Sequence, residues 1–176
     1  MKLEIRPVTA ADAHELAELL NAIIARGGTT ALEEPFTPEQ LDEVYLTGPD
    51  VLSCVAAVEI GSGQLVGFQT LIRDRNLPEG WSDIATFSRV DGVQKGVGAS
   101  LFVATRANAK VLELTAINAT IRADNTGGLA YYAKMGFHDY KVDRAVPLKD
   151  GTRVDRIYRR YDLREVRDRI QSTQAI

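Results

Sequence analysis

The sequence predicts a single-domain α/β fold on a mixed, mostly antiparallel sheet with one strand-helix-strand crossover. Two observations carry this. Apolar runs of strand length and helical-period runs follow one another in the order strand, helix, helix, three strands, helix, strand, helix, two strands. Short polar turns such as "GSGQ" and "KDG" join strand runs into hairpins, whereas "DIATFSRV" and "LTAINATI" are joined by a whole helix. A connection of that length sets its two strands parallel, whereas turns set theirs antiparallel. The 176 residues, 45% hydrophobic and 26% charged, suit one domain with a core of its own. No internal repeat, linker or low-complexity segment marks a second domain.

Taken in order, "KLEIRPV" alternates as a first strand. From Thr9 to Arg26, Leu16, Leu19, Leu20, Ile23 and Ile24 fall on one helical face, Thr9 and Asp12 stand in capping-box positions, and Gly27-Gly28 ends the run. The loop "GGTTALEEPF" follows, and Thr37, Pro38 and Gln40 start a second short helix that should reach about Leu46. "VLSCVAAVEI" and "LVGFQTLIR" form a hairpin across "GSGQ". "DIATFSRV" leads into "VDGVQKGVGASL" and a helix to about Lys110. "LTAINATI", apolar on both faces, is a buried central strand. "ADNTGGLAYYAKMGF" carries a weak helix closed by Gly136, a hairpin around "KDG" comes next, and a polar tail starts at about residue 163.

Composition excludes several classes of function. A net charge of −3 with scattered Lys and Arg offers no field for a nucleic-acid backbone. The single cysteine, Cys54, lies in an apolar strand with no basic neighbour and reads as a buried residue, not a nucleophile. His14 and His138 stand far apart with no ligand set at metal spacing, so no metal is expected. "MKLEIRPVTA" lacks the basic-then-apolar order of a signal peptide, and no apolar run reaches membrane-spanning length. The expectation is a cytoplasmic protein without a membrane partner, and symmetry statistics favour a homodimer.

Gly92, Gly96 and Gly98 crowd the mouth of the crossover helix. A helix N-terminus leaves about four N–H groups unpaired and carries roughly half a positive charge. Residues without side chains let a phosphate reach those groups. Two other phosphate motifs fail here. Lys95 precedes Gly96 and no Gly-Lys pair is followed by Ser or Thr, which rules out a P-loop, and Leu101 stands where a dinucleotide fingerprint needs its third glycine.

Downstream, "NTGGLAYYAKMGF" sets Asn125, Tyr132, Gly136 and Phe137 in fixed order, with Asn125 about 27 residues after Gly98. Together "VQKGVGASL" and this segment resemble the two acetyl-CoA motifs of the GNAT-type (GCN5-related) N-acetyltransferases, roughly [QR]-x-x-G-x-[GA]-x-x-L and N-x-x-[AS]-x-x-x-Y-x-x-x-G-F. The likeness extends to the whole element order. Two positions depart from the pattern: Val93 stands where the family has Gln or Arg, with Gln94 one place later, and Gly128 replaces Ala or Ser.

The resemblance implies an acetyl-CoA co-substrate, no metal, and direct transfer to an amine. By it, the main chain of Val93, Gln94, Lys95, Gly96, Val97, Gly98 and Ala99 binds the pyrophosphate. Phe87 and Ser88 bond the pantetheine through their backbones, so that the cofactor acts as an extra strand, and Asn125 holds the pantetheine arm or the loop around it. Tyr132 stands near the thioester sulfur as proton donor, and Tyr131 packs on the core. Asp83 is a candidate general base, with Glu33, Glu34 and Asp91 as other acids near the expected cleft. For the acceptor, the resemblance points to the loops around residues 27–36 and 73–81. There Glu33 and Glu34 would receive a cationic amine, and Arg73, Arg75 and Trp81 a carboxylate or an apolar side chain. "TTALEEPFTPEQL" is also similar to the matching stretch of phosphinothricin-type acetyltransferases, which act on small amino-acid-like amines. Three activities stay open: acetylation of a small amine or amino acid, acetylation of a protein or peptide, and silent acyl-CoA sensing.

Overall fold

The computed structural model describes residues 2–91 and 95–163, and the polar tail lies outside them. The chain runs β1 (Leu3–Pro7), α1 (Ala13–Arg26), α2 (Pro38–Leu41), β2 (Val51–Glu59), β3 (Leu65–Ile72), β4 (Trp81–Ser88), α3 (Val97–Val111), β5 (Ala116–Arg122), α4 (Thr126–Lys134), β6 (His138–Pro147) and β7 (Arg153–Asp162). This is the order read from the sequence. The seven strands form one sheet ordered β1-β2-β3-β4-β5-β7-β6. Only β4 and β5 pair in parallel, across the α3 crossover; the other neighbours are antiparallel.

Local chemistry explains the ends of the elements. A single 3₁₀ turn, Ala10–Asp12, precedes α1, and the Asp12 carboxylate accepts from the Thr9 N–H at 2.8 Å while taking two bonds from Arg6. That pairing holds the Asp12 carboxyl below the usual carboxylate range, the Arg6 bond being the largest cause. Thr37 and Gln40 exchange the two hydrogen bonds of a capping box at α2. The helix then continues to Leu46 as a wider π-type turn, Asp42–Leu46.

Side chains alternate across the sheet. The α1 residues Leu16, Leu19, Leu20 and Ile23 pack with Ala56, Phe68 and Phe87 on one face. On the other, Phe102 of α3 and Tyr132 of α4 pack with Ile84, Ile117, Ala119 and Ile121. Phe68, Leu71, Leu101 and Ile117 are fully buried. Cys54 is buried as expected, and burial pushes its thiol up to about 12, far from a reactive thiolate.

Candidate active site

The parallel pairing of β4 and β5 is short. It covers only Trp81↔Ala116, Ser82↔Ile117 and Asp83↔Asn118, after which β4 continues to Ser88 and β5 to Arg122 without meeting. Backbone groups on the facing edges of Ile84–Ser88 and Ala119–Arg122 therefore have no strand partner. An unpaired buried edge is costly, and an extended, amide-bearing chain laid between the two strands satisfies it. The gap opens into a cleft of about 700 Å³.

Gly96, in the left-handed conformation at φ 88°, turns the chain into α3 at the open end of this cleft. The first intrahelical bond is Ser100 N–H to Gly96 O, which leaves the N–H groups of Val97, Gly98 and Ala99 without an intrahelical partner at the helix mouth. Gly96, Gly98 and Ala99 line the cleft, as do Phe87 and Ser88 of β4. Val97 is wholly buried in the core and does not line the cleft. Lys95 is exposed beside the turn, and Val93 and Gln94 lie outside the described residues.

Two glycines have a packing reason that the sequence hides. A Cβ on Gly98 would lie 2.7 Å from Cε2 of Tyr131, and one on Gly128 would lie 2.4 Å from Nδ2 of Asn125. Asn125 folds over the start of α4. Its Oδ1 accepts from the Gly128 N–H, and its Nδ2 donates to the Thr29 carbonyl of the loop between α1 and α2, both at 2.8 Å.

Tyr132 is buried in the cleft wall with its hydroxyl 2.9 Å from Oγ1 of Thr86 on β4. Desolvation raises its pKa above the ordinary phenol value and keeps it protonated. Tyr131 does more than pack. Its hydroxyl donates to Gly98 O at 2.8 Å and accepts from Nε2 of Gln69 at 3.1 Å, while the same Gln69 nitrogen donates to Thr86 at 2.8 Å. One polar chain thus joins Tyr132, Thr86, Gln69, Tyr131 and Gly98. The motif spacing marks only Tyr132 and Gly98 in it. Gln69 and Thr86 stand in apolar strand runs, and a polar residue in such a run was the only available signal.

Asp83 sits where the strands part. It accepts a 2.6 Å bond from Nδ2 of buried Asn118, whose Oδ1 accepts at 2.6 Å from the Tyr140 hydroxyl. Desolvation is the main force on Asp83 and pushes its pKa up to about 6, partly opposed by the Asn118 bond. A carboxyl with that pKa is ionised at neutral pH yet basic enough to accept a proton.

The acceptor residues suggested by sequence fall elsewhere. The Glu33 carboxylate accepts from the Lys149 N–H, and Glu34 pairs with the Lys149 ammonium, so both are held at the β6–β7 turn and neither lines the cleft. Arg73 is exposed, 3.9 Å from Asp50. The Trp81 ring packs edge-on against Tyr140 at 5.6 Å, outside the cleft lining. These positions are set by the hairpin turn and by strand ends, which loop composition does not encode. No group of side chains able to hold a metal occurs among the described residues.

The architecture is that of the GNAT-type N-acetyltransferases. No family model and no curated protein matches the sequence. Solved structures match the fold closely. An N-acetyltransferase from Staphylococcus aureus Mu50 superposes with a TM-score of 0.80 at 17% identity, over 93% of this chain and 100% of that one. A GNAT-superfamily phosphinothricin acetyltransferase from Sinorhizobium meliloti, in complex with acetyl-CoA, gives 0.79 at 19% identity, over 92% and 89%. A ribosomal-protein-alanine N-acetyltransferase from Brucella melitensis gives 0.77 at 18%, over 90% and 99%. No helix among the described residues is long and apolar enough to cross a membrane.

Proposed function

We propose that the chain is an acetyl-CoA-dependent N-acetyltransferase acting by direct transfer on a small-molecule amine. The observation that carries this reading is the divergence of β4 and β5 beyond Asp83 and Asn118, with unpaired strand edges, a glycine-lined helix mouth at the open end, and Tyr132 and Asp83 on the walls. The pantetheine arm, an extended chain with two amides, fits the edge of Ile84–Ser88, and its pyrophosphate fits the N–H groups of Gly98 and Ala99, which have no intrahelical partner. The thioester supplies an electrophilic carbonyl carbon.

The chain's own groups then divide the proton work. Asp83 accepts the proton that an ammonium must shed before its nitrogen can attack, directly or through one water. The new C–N bond forms as the C–S bond breaks, and Tyr132 gives its proton to the departing thiolate. Thr86 holds the phenol in place, and burial keeps it protonated until that moment.

A small acceptor is favoured by the loop between α1 and α2. Its Thr29 and Thr30 carbonyls accept from Asn125 Nδ2 at 2.8 Å and Arg122 Nη1 at 3.1 Å, which fixes the loop across the cleft instead of leaving an open groove for a polypeptide. Thiol release from acetyl-CoA across a panel of amino acids, polyamines and peptides tests the reading. Turnover of a small amine supports it; turnover only of peptides overturns the acceptor class, and acetyl-CoA binding with no turnover overturns the enzyme.

A further inference from the structure

We infer that Gln69 and Thr86 are positioning residues for the proton donor Tyr132. The Gln69 amide turns the Thr86 hydroxyl so that it donates to the Tyr132 oxygen, which leaves the proton of Tyr132 free to point into the cleft; this rests on the acetyltransferase reading of that cleft. Gln69 is wholly buried in β3, and its Oε1 has no hydrogen-bond partner. A buried carbonyl without a partner is destabilising, and an apolar side chain of similar shape would avoid that cost. What the amide offers in return is its N–H groups.

The register brings the three side chains together. Gln69 and Thr86 stand directly opposite each other in the antiparallel β3–β4 ladder and share a face. Tyr132 reaches the same point from α4: its hydroxyl is 2.9 Å from Oγ1 of Thr86, and both residues line the cleft. Bond chemistry then assigns the donors. An amide nitrogen only donates, so at 2.8 Å the Thr86 oxygen accepts from Gln69 Nε2. The hydroxyl proton of Thr86 has one acceptor among the hydrogen bonds of the described residues, the Tyr132 oxygen. Turning the amide over would reverse the sense of the bond, but it would put both N–H groups where Oε1 now lies without a partner. Two buried donors would then stand unpaired in place of one acceptor.

That direction suits the reaction. A phenol that donated to Thr86 would have its proton held in the wall. As arranged, the Tyr132 O–H bond breaks toward the departing sulfur and an S–H bond forms. The oxygen left with the charge already holds the Thr86 hydrogen bond, which strengthens as the phenolate develops. Thr86 and Gln69 keep their own protons throughout. Tyr132 regains a proton from solvent, which balances the one that the acetylated nitrogen releases. Burial pushes the Tyr132 phenol up, and the Thr86 bond works against that push.

The test measures thiol release from acetyl-CoA, with an amine that wild type accepts, for Gln69→Met, Thr86→Val and Thr86→Ser, each alone and combined with Tyr132→Phe. Gln69→Met should fold, because Thr86 and the Tyr131 hydroxyl keep their other partners, Tyr132 and Gly98 O. We expect kcat to fall roughly 3- to 30-fold in Gln69→Met and roughly 10- to 100-fold in Thr86→Val, with the KM for acetyl-CoA little changed and Thr86→Ser near wild type. In the Tyr132→Phe background the same substitutions should cost about twofold or less, because the proton they orient is gone. Wild-type kcat in Gln69→Met overturns the inference. A Gln69→Met chain that does not fold, an equal loss in the Tyr132→Phe background, or no recovery in Thr86→Ser overturns it too, by making these contacts structural. If wild type acetylates no amine, the acetyltransferase reading fails separately, and the bond is judged in the ligand-free protein. With a trifluorotyrosine at position 132, whose phenol titrates in an accessible range, Gln69→Met and Thr86→Val must raise the phenol pKa read by ultraviolet absorbance; an unchanged or lowered value overturns the inference.

Discussion

The Tyr131 hydroxyl donates to the carbonyl oxygen of Gly98 at 2.8 Å, while the Tyr131 ring lies where a Cβ on Gly98 would be, 2.7 Å from Cε2. The first turn of α3 and the middle of α4 are thereby locked together. Each carries one of the two motifs proposed to hold acetyl-CoA, so their spacing in the sequence has a direct contact behind it.

Gly98→Ala should cost about 1–3 kcal/mol, because the methyl meets an aromatic ring in a packed wall. Gly96→Ala meets no atom within 4 Å but must hold φ at 88°, for about 1–2 kcal/mol. Denaturant unfolding separates the two mechanisms: Tyr131→Leu in the same chain should restore part of the loss for Gly98→Ala and none for Gly96→Ala.

Tyr131→Phe keeps the ring and deletes the hydroxyl, leaving Gly98 O and Gln69 without that partner. We expect a loss of about 1 kcal/mol in stability and a fall of several-fold in acetyl-CoA affinity, with turnover at saturation little changed. Calorimetric titration with acetyl-CoA checks it, and wild-type affinity would show that the lock does not shape the helix mouth.

Tyr132→Phe should do the opposite, lowering turnover by roughly 10- to 1000-fold with acetyl-CoA affinity and the Michaelis constant nearly intact. The ring stays in its contacts with Phe137 and Tyr131, and only the proton is gone. If thiol release by Tyr132→Phe matches wild type, the departing thiolate takes its proton from elsewhere.

Asp83 gives turnover a pH dependence with a definite sign. Its carboxyl, raised from 3.8 to about 6, must be ionised to act as base, so activity should rise through pH 6 in wild type. Asp83→Asn should lose that limb and the rate at neutral pH, recovering in part where the amine is already neutral. The raised value also means that the folded state resists ionisation. Asp83 therefore lowers stability progressively between about pH 4 and 6 and fully above 6. Thermal melts should show Asp83→Asn gaining on wild type across that window, with the difference closing below it; equal melting at pH 8 would show that burial does not strain the carboxylate.

The order of elements, the capping boxes at Asp12 and Gln40 and the crossover were all written in the sequence, because each depends on neighbours within a few residues or on the period of apolar side chains. Gly98, Asn125 and Tyr132 were marked by the resemblance of two short segments to the family's motifs. Tertiary structure alone decided that β7, not β6, lies beside β5, that the β4–β5 ladder stops at Asp83 and Asn118, and that Glu33 and Glu34 turn to Lys149 instead of the cleft. It also brought Gln69 and Thr86 to the two tyrosines. These are pairings between residues tens of positions apart. Hydrogen-bond partners and burial are set by which strands become neighbours, and no local pattern of residue types carries that information.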